Sequence, residues 1–296
     1  MFPGQGSQEI GMGDELLEKY SNLLKNTFEK SLGWSLESII NSDDPELIKK
    51  TNIAQPYIFS ISYCYGIEAI NNLGNPAALI GHSLGEYTAL CLSGYLNFKD
   101  ALKVIAVRGE EMQKAVENSN TTMAAVLTND LDITIEEINK LNNQGIQIWI
   151  SNYNDPSQIV ISSYTDDMNY LKSNPKAIGA KRIIPLEVAG AFHTEIVSPA
   201  KKPLHDVLNE IDISEGKIPV YMNVDAKKVD LSSIKENLVN QIDNSVLFSQ
   251  QIQNLNQDID PDLWCHIGPG NVTAGMVRKS ISYKDLKVIN SLESSN

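Results

Sequence analysis

The chain has 296 residues, 42% of them apolar and 21% charged, a balance that fits a globular protein long enough for about two domains. Its formal charge of −13 argues against nucleic acid or an anionic membrane as a partner, so an acidic partner would have to meet a local basic patch. No stretch approaches the roughly 18 apolar residues of a membrane span, no signal peptide opens the chain, and Cys64, Cys91 and Cys265 lack metal-type spacing; together these predict a cytoplasmic protein with reduced core cysteines and no metal.

In chain order, Met1-Phe2-Pro3-Gly4-Gln5-Gly6-Ser7-Gln8 describes a tight loop in which a backbone amide can approach a ligand closely. It is not a phosphate loop, because the P-loop spacing is absent and no Lys follows. Residues 14–30 read as an amphipathic helix ending near Gly33. Pro45 opens a helix behind Asp43 and Asp44, and Pro56 opens another that runs to about Leu73, with Gln55 just outside it. Residues 77–80 form a brief strand, Gly81-His82-Ser83-Leu84-Gly85 follows, and residues 87–92 read as a buried helix. Strand, G-x-S-x-G and helix make a nucleophile elbow, in which a strained turn lifts the Ser83 hydroxyl to a helix N-terminus. After a break at Gly94, residues 98–118 form a long helix with Arg108 near its middle.

From residue 122 the texture changes. Residues 122–127, 146–150, 158–162 and 181–186 read as strands, residues 133–141 and 166–172 as helices, and Ser151-Asn152-Tyr153-Asn154-Asp155-Pro156 as a polar turn. The order β-α-β-β-α-β is that of a small ferredoxin-like domain, placed at residues 122–187. Residues 1–121 and 188–296 then form the main domain. Its second half carries the small-residue loop 188–194 with His193, a helix over 196–211 broken near Pro203, and a strand at 219–223. Helices over 231–241 and 247–255 follow, then a strand at 263–267 that ends in Gly268-Pro269-Gly270. Strands alternating with helices predict an α/β fold with a parallel central sheet covered on both faces.

A serine hydroxyl needs a general base. Of the four histidines, His82 adjoins Ser83 and should point away from the hydroxyl in a packing or orienting role. His205 lies on a polar helix face, and His266 ends an apolar strand as a satisfied core residue. His193 lies downstream of the serine, which matches the serine-then-histidine order of elbow hydrolases. Many carboxylates lie between the two and none stands out as a triad acid, so that place stays open. Arg108 sits between Val107 and Gly109 on a helix that buries Val104 and Ile105, where a guanidinium calls for a planar anion such as a carboxylate.

Gly4-Gln5-Gly6-Ser7-Gln8, Gly81-His82-Ser83-Leu84-Gly85-Glu86, Arg108-Gly109, Asn152 with Pro156-Ser157-Gln158, Gly190-Ala191-Phe192-His193 and Gly268-Pro269-Gly270 occur in one order along nearly the whole chain. The set resembles the malonyl-CoA:acyl carrier protein acyltransferase family, and Val188-Ala189-Gly190-Ala191-Phe192-His193-Thr194 is most like freestanding, trans-acting polyketide synthase acyltransferases. The resemblance implies an α/β-hydrolase-like large subdomain with a ferredoxin-like small one. It implies Ser83 as the nucleophile, His193 as the base held by backbone carbonyls, and the Gln5 and Leu84 amides as the oxyanion hole. Arg108 would pair with the malonyl carboxylate, and Phe192, which accompanies malonyl rather than methylmalonyl in multidomain relatives, would limit the acyl group. Gln55, Asn152, Gln158 and His82 would line the substrate side.

The implied reaction carries malonyl from malonyl-CoA to an acyl carrier protein with no cofactor, in a monomer or as part of a larger synthase. The docking surface would be Lys176, Lys181 and Arg182, or Lys201 and Lys202. Alternatives are a fatty-acid transacylase, an acyl hydrolase of the kind that usually lacks the arginine, and a docking module with a dead site. Relatives usually carry a few strand residues before Phe2, so that strand is missing or shortened here; if it is absent, the central sheet loses a member and the position of Gln5 is less fixed.

Overall fold

A computed structural model describes residues 1–295. Its strands in chain order are β1 (Thr121–Thr128), β2 (Ile148–Asp155), β3 (Gln158–Tyr164), β4 (Ala180–Pro185), β5 (Trp264–Ile267) and β6 (Leu286–Ile289). The centre of the molecule is a parallel ladder made from much shorter pieces. The Leu79 N–H donates to Pro219 O at 2.8 Å and the Tyr221 N–H to Leu79 O at 3.2 Å. The Phe2 N–H donates to Ile80 O at 3.1 Å and the His82 N–H to Phe2 O at 3.0 Å. On the other side, the Met1 nitrogen donates to Cys265 O at 2.7 Å and the Ile267 N–H to Met1 O at 2.8 Å. β5 then pairs in parallel with β6. Residues 219–221, residues 79–81, Met1 with Phe2, β5 and β6 therefore lie side by side.

The N-terminal member of the sheet is short but present: its place is held by Met1 and Phe2, both buried. Their ladder bonds on both flanks fix the loop that follows, and a Cβ on Gly4 would come within 2.6 Å of His82 O. Gln5 is thus anchored directly beside the elbow.

Helices cover the ladder. The Thr51–Leu73 and Phe98–Val116 helices pack together in the larger core with Phe2, Leu84 and Val220, while Phe248, Ile252 and Met276 cover Met1, Ile80 and Trp264 in a separate cluster. Between the halves of this body, β1 to β4 form an antiparallel sheet in the order β2-β3-β1-β4. One face packs Ala124, Val126, Ile159 and Ile161 against the Leu131–Asn143 and Thr165–Ser173 helices. Alternation along a strand sends Met123, Ala125 and Val160 to the other face, where they line a cleft. β2 is joined to the larger body through Val246, whose N–H donates to Ser151 O and whose carbonyl accepts from the Tyr153 N–H, each at 2.9 Å.

Several element boundaries differ from the predicted ones for physical reasons. The Thr51–Leu73 helix begins five residues before Pro56, so Gln55 lies inside it. Its first amide finds a distant partner, Gln113 Oε1 at 3.0 Å, which supports a start that no local cap announces. The polar turn at 151–156 is mostly strand: β2 runs to Asp155 and only Pro156-Ser157 turn. Ser151, Asn152, Asn154 and Asp155 are polar yet buried. The helix expected over 14–30 is interrupted, with an α turn at Leu16–Lys19, a π segment at Asn22–Thr27 and an α turn at Phe28–Leu32. In the 196–211 region, a 3-10 segment Glu195–Ala200 precedes the Lys201–Asn209 helix. Pro203 falls in that helix's first turn, where its missing N–H costs nothing.

Candidate functional site

The elbow places Ser83 at φ 51°, in the left-handed region that non-glycine residues seldom occupy. The strand must become the Gly85–Ser93 helix within four residues, and the turn is closed by Gly85 N–H to His82 O at 2.9 Å and Glu86 N–H to Ser83 O at 3.1 Å. A Cβ on Gly81 would lie 1.9 Å from the Gly85 carbonyl carbon, and one on Gly85 2.3 Å from Phe2 O. Both glycines are needed for close backbone approach.

His193 is also left-handed, at φ 59°, in the loop after β4. Its Nε2 lies 2.8 Å from Ser83 Oγ and its Nδ1 2.8 Å from the Gln241 carbonyl oxygen. A carbonyl can only accept, so Nδ1 carries the proton and Nε2 offers its lone pair to the Ser83 hydroxyl. Burial first, and then the charge of Arg108, push His193 down to about 3, which keeps the imidazole neutral. The position left open for an acid is filled by a backbone carbonyl.

Arg108 is 1% exposed. Its Nη1 donates to Gln55 Oε1 at 2.7 Å, and its Nη2 to Gln241 Oε1 at 2.8 Å and to Ser83 Oγ at 3.1 Å. The guanidinium carbon lies 5.6 Å from the centroid of the Tyr87 ring. Among the described residues it forms no ion pair and its Nε has no partner. Burial lowers its pKa, but a guanidinium stays charged, so a cation with only neutral partners faces the cleft. That environment invites a carboxylate.

The cleft between the two bodies holds about 840 Å³ and is lined by Gln5, Gln55, His82, Ser83, Arg108, Asn152, Gln158, Phe192 and His193. Leu84 is the residue before the helix and Gln5 follows the anchored loop; among the described residues neither amide donates to a protein acceptor. The Gln5 side chain is tied to Thr51 Oγ1 at 3.2 Å. His82 turns its Nε2 to Asn154 Oδ1 at 2.9 Å and packs edge-on to Phe248. Asn154 in turn donates to Gln158 Oε1 at 3.1 Å, so this wall is a polar chain across β2 and β3. His205 is exposed, whereas His266 is buried and held by Thr273 Oγ1 at 2.6 Å. Of the basic residues, half-buried Lys201 is paired with Asp243 at 2.9 Å and exposed Lys202 with Asp206 at 2.7 Å, whereas Lys176, Lys181 and Arg182 are exposed and form no ion pair among the described residues.

Sequence reasoning missed the polar cluster behind the serine. The Ser83 N–H donates to Asn223 Oδ1 at 2.8 Å, and Asn223 Nδ2 donates to Gly81 O at 2.7 Å, a brace across the elbow. Glu86 is fully buried; its oxygens accept from the Asn223 N–H at 2.5 Å and Gln241 Nε2 at 2.6 Å. Burial pushes Glu86 up to about 8 against the pull of those donors and of Arg108. The available signals were weak: a charged residue in an otherwise apolar helix, and Asn223 and Gln241 at the last positions of a predicted strand and helix.

Residues 1–293 match the acyl transferase domain family. A malonyl CoA-acyl carrier protein transacylase of Bacillus subtilis (strain 168) is 38% identical over 283 residues, 94% of this chain and 89% of that protein. Among solved structures, a malonyl-transacylase in complex with a type II polyketide synthase acyl-carrier protein superposes with a TM-score of 0.91 at 29% identity, covering 99% of this chain and 96% of the other. A transacylase from Streptococcus pneumoniae gives 0.90 at 30% identity, covering 99% and 96%.

Proposed function

This chain belongs to the acyl transferase domain family, and from that premise we propose that it moves a malonyl group from malonyl-CoA to the phosphopantetheine thiol of an acyl carrier protein. The observation that carries the reading is a buried Arg108, without an ion pair among the described residues, within 3.1 Å of the Ser83 hydroxyl that His193 activates. A carboxylate and a thioester carbonyl on one short acyl group match that pair.

In the first half-reaction His193 Nε2 takes the Ser83 proton as Oγ attacks the thioester carbonyl. The carbon–sulfur bond breaks, His193 returns the proton to the coenzyme A thiolate, and a malonyl-Ser83 ester remains. In the second half the carrier thiol gives its proton to His193 and attacks the ester, and Ser83 Oγ leaves with that proton. The Gln5 and Leu84 amides are assigned to the oxyanion in both halves; one such donor is worth about 3 kcal/mol of barrier. Phe192 limits the acyl pocket, and Gln55, Asn152, Gln158 and His82 line it. No metal or resident cofactor enters either step.

We read the antiparallel sheet with its helices, residues 122–187, as a ferredoxin-like subdomain inserted into an α/β-hydrolase-like body of residues 1–121 and 188–296. Lys176, Lys181 and Arg182 are the basic face offered to an acidic carrier. We assign a cytoplasmic chain, monomeric or part of a larger synthase, that serves polyketide assembly. The second reading is transfer for fatty-acid assembly, which the same Ser83, His193 and Arg108 geometry serves equally.

The test is intact-protein mass after mixing with malonyl-CoA or acetyl-CoA, followed by addition of thiol-bearing carrier protein. A malonyl adduct that Ser83→Ala abolishes and that moves to the carrier is expected. An adduct lost only to water, or formed equally from acetyl-CoA, would make the protein a hydrolase and overturn the reading.

A further inference from the structure

Arg108 and the Asn223 backbone amide are both fixed donors with no capacity to accept, and two side chains, Gln241 and Glu86, connect them. Arg108 Nη2 donates to Gln241 Oε1 at 2.8 Å, so the other end of that amide, Nε2, points away; its shortest acceptor is Glu86 Oε2 at 2.6 Å, with Ser83 O at 3.0 Å and Asn223 Oδ1 at 3.1 Å beside it. Glu86 Oε1 receives the Asn223 N–H at 2.5 Å. The chain of contacts closes only if the residue between Gln241 and Asn223 accepts at both ends. A carboxylate does so. An amide at position 86, or a carboxyl carrying a proton, puts a donor where an acceptor is needed. Either that donor faces the Asn223 N–H, or it faces Gln241, which must then meet it with its own N–H or rotate and aim its N–H at the guanidinium.

We propose that Glu86 is a positioning residue for acyl selection: as a double acceptor it fixes the Gln241 amide, and through it the orientation in which Arg108 meets the carboxylate of the acyl group. The proposal rests on the reading of Arg108 above and adds to it the residue that sets its geometry. Glu86 does not line the cleft and makes no hydrogen bond to Ser83 Oγ; its hold on Asn223 and the elbow acts on both acyl groups alike, so its effect on the malonyl-to-acetyl ratio runs through what Arg108 recognises. The same Gln241 residue gives its backbone carbonyl to His193 Nδ1, but that contact is independent of how the side-chain amide is turned.

The charged and titratable groups facing Glu86 are Tyr87 on its own helix, Arg108 from the Phe98–Val116 helix and Asp225 from the segment after residues 219–223, with His193 beyond Gln241. Burial holds Tyr87 up, above the working range, and His193 down at about 3, below it, whereas Glu86 is held at about 8. Groups that act on the nucleophile affect malonyl and acetyl transfer alike, so the ratio of the two reports on Arg108 and what orients it.

The experiment compares kcat and KM for Ser83 acylation by malonyl-CoA and acetyl-CoA in the wild type, Glu86→Gln, Arg108→Ala and the double variant, across pH 6 to 9.5. Glu86→Gln is expected to lower the malonyl-to-acetyl ratio by about tenfold, the effect of one buried donor left unpaired, with the loss in the malonyl KM. The wild-type ratio falls towards the variant's as the pH drops through the titration of Glu86, and the variant's ratio is flat. In the Arg108→Ala background Glu86→Gln changes the ratio no further. If Glu86→Gln does not fold, the wild-type pH series decides alone. Equal losses on both substrates, a ratio independent of pH, or a ratio that rises on acidification overturns the proposal. A wild type without malonyl preference, or Arg108→Ala without effect, overturns instead the reading on which it rests.

Discussion

The most consequential single residue is Arg108, because it is charged, buried and met only by neutral oxygens. A site that leaves such a group unpaired rejects a ligand lacking its partner by roughly 10⁴-fold. Arg108→Ala is therefore expected to bring the malonyl-to-acetyl preference from that order towards unity, mostly by loss on malonyl, when both half-reactions are followed by adduct formation. Preference unchanged within threefold would sink the assignment. The substitution also removes the second-largest cause of the depressed His193 pKa, so the acid limb of the acetyl half-reaction moves upward from about 3 towards the ordinary histidine range. An acid limb that stays in place shows that burial alone sets the base.

At the scale of elements, the elbow depends on backbone crowding that leaves no space for a methyl group. Gly81→Ala puts a Cβ 1.9 Å from the Gly85 carbonyl carbon, in contact with backbone that cannot step aside. Overpacking in a core costs about 1–3 kcal/mol, and this clash belongs at or above the upper end, a fall in Tm of about 5 °C or more. Gly275→Ala is the control: nothing lies within 4 Å of its Cβ in the Val272–Ser280 helix, and about 0.5–1 kcal/mol of stabilisation is expected. Equal melting of Gly81→Ala and wild type would show that the elbow yields. The elbow was legible in the sequence because glycine spacing, a short apolar strand and an apolar helix are all local signals. Ser83, His193 and Arg108 could be picked out for the same reason, each by its immediate neighbours. β2 was only half legible: its cleft-facing stretch, Ser151 to Asp155, is polar where it meets Val246 and the site, and polar residues read as a turn. The start of the Thr51–Leu73 helix was hidden because its first amide is satisfied by Gln113, 62 residues away. The Asn223, Gln241 and Glu86 cluster joins three distant segments, and no periodicity links them. Local chemistry was readable, and long-range hydrogen bonding was not.

At the scale of the whole molecule, the two parts of the chain are joined through strands that end at the site, so folding free energy and site geometry share groups. His266 is one of them. It lies next to the end of β5 and holds the Gly268-Pro269-Gly270 turn through the Gly268 and Pro269 carbonyls, each at 3.2 Å, while Gly268 packs on Pro3. Burial pushes His266 down to about 4. Its folded pKa lies below the unfolded value of roughly 6.5, so the unfolded chain binds the proton more tightly. The stability His266 contributes is complete above pH 6.5 and is lost as the pH falls to about 4, with a slope of about 1.4 kcal/mol per pH unit. His193 loses stability in the same direction down to about 3, whereas Glu86, raised by burial, works oppositely and loses its contribution as the pH rises through about 8. The isolating measurement is the difference in unfolding free energy between wild type and His266→Asn, by urea melts from pH 4 to 8. The variant is less stable at pH 7 because it cannot reproduce all the hydrogen bonds of the ring, but the gap narrows by about one proton's slope as the pH falls below 6.5. A gap constant with pH would mean that the protonated ring is accommodated in the fold, and the β5 turn would then have to open to solvent while the rest of the molecule stays folded.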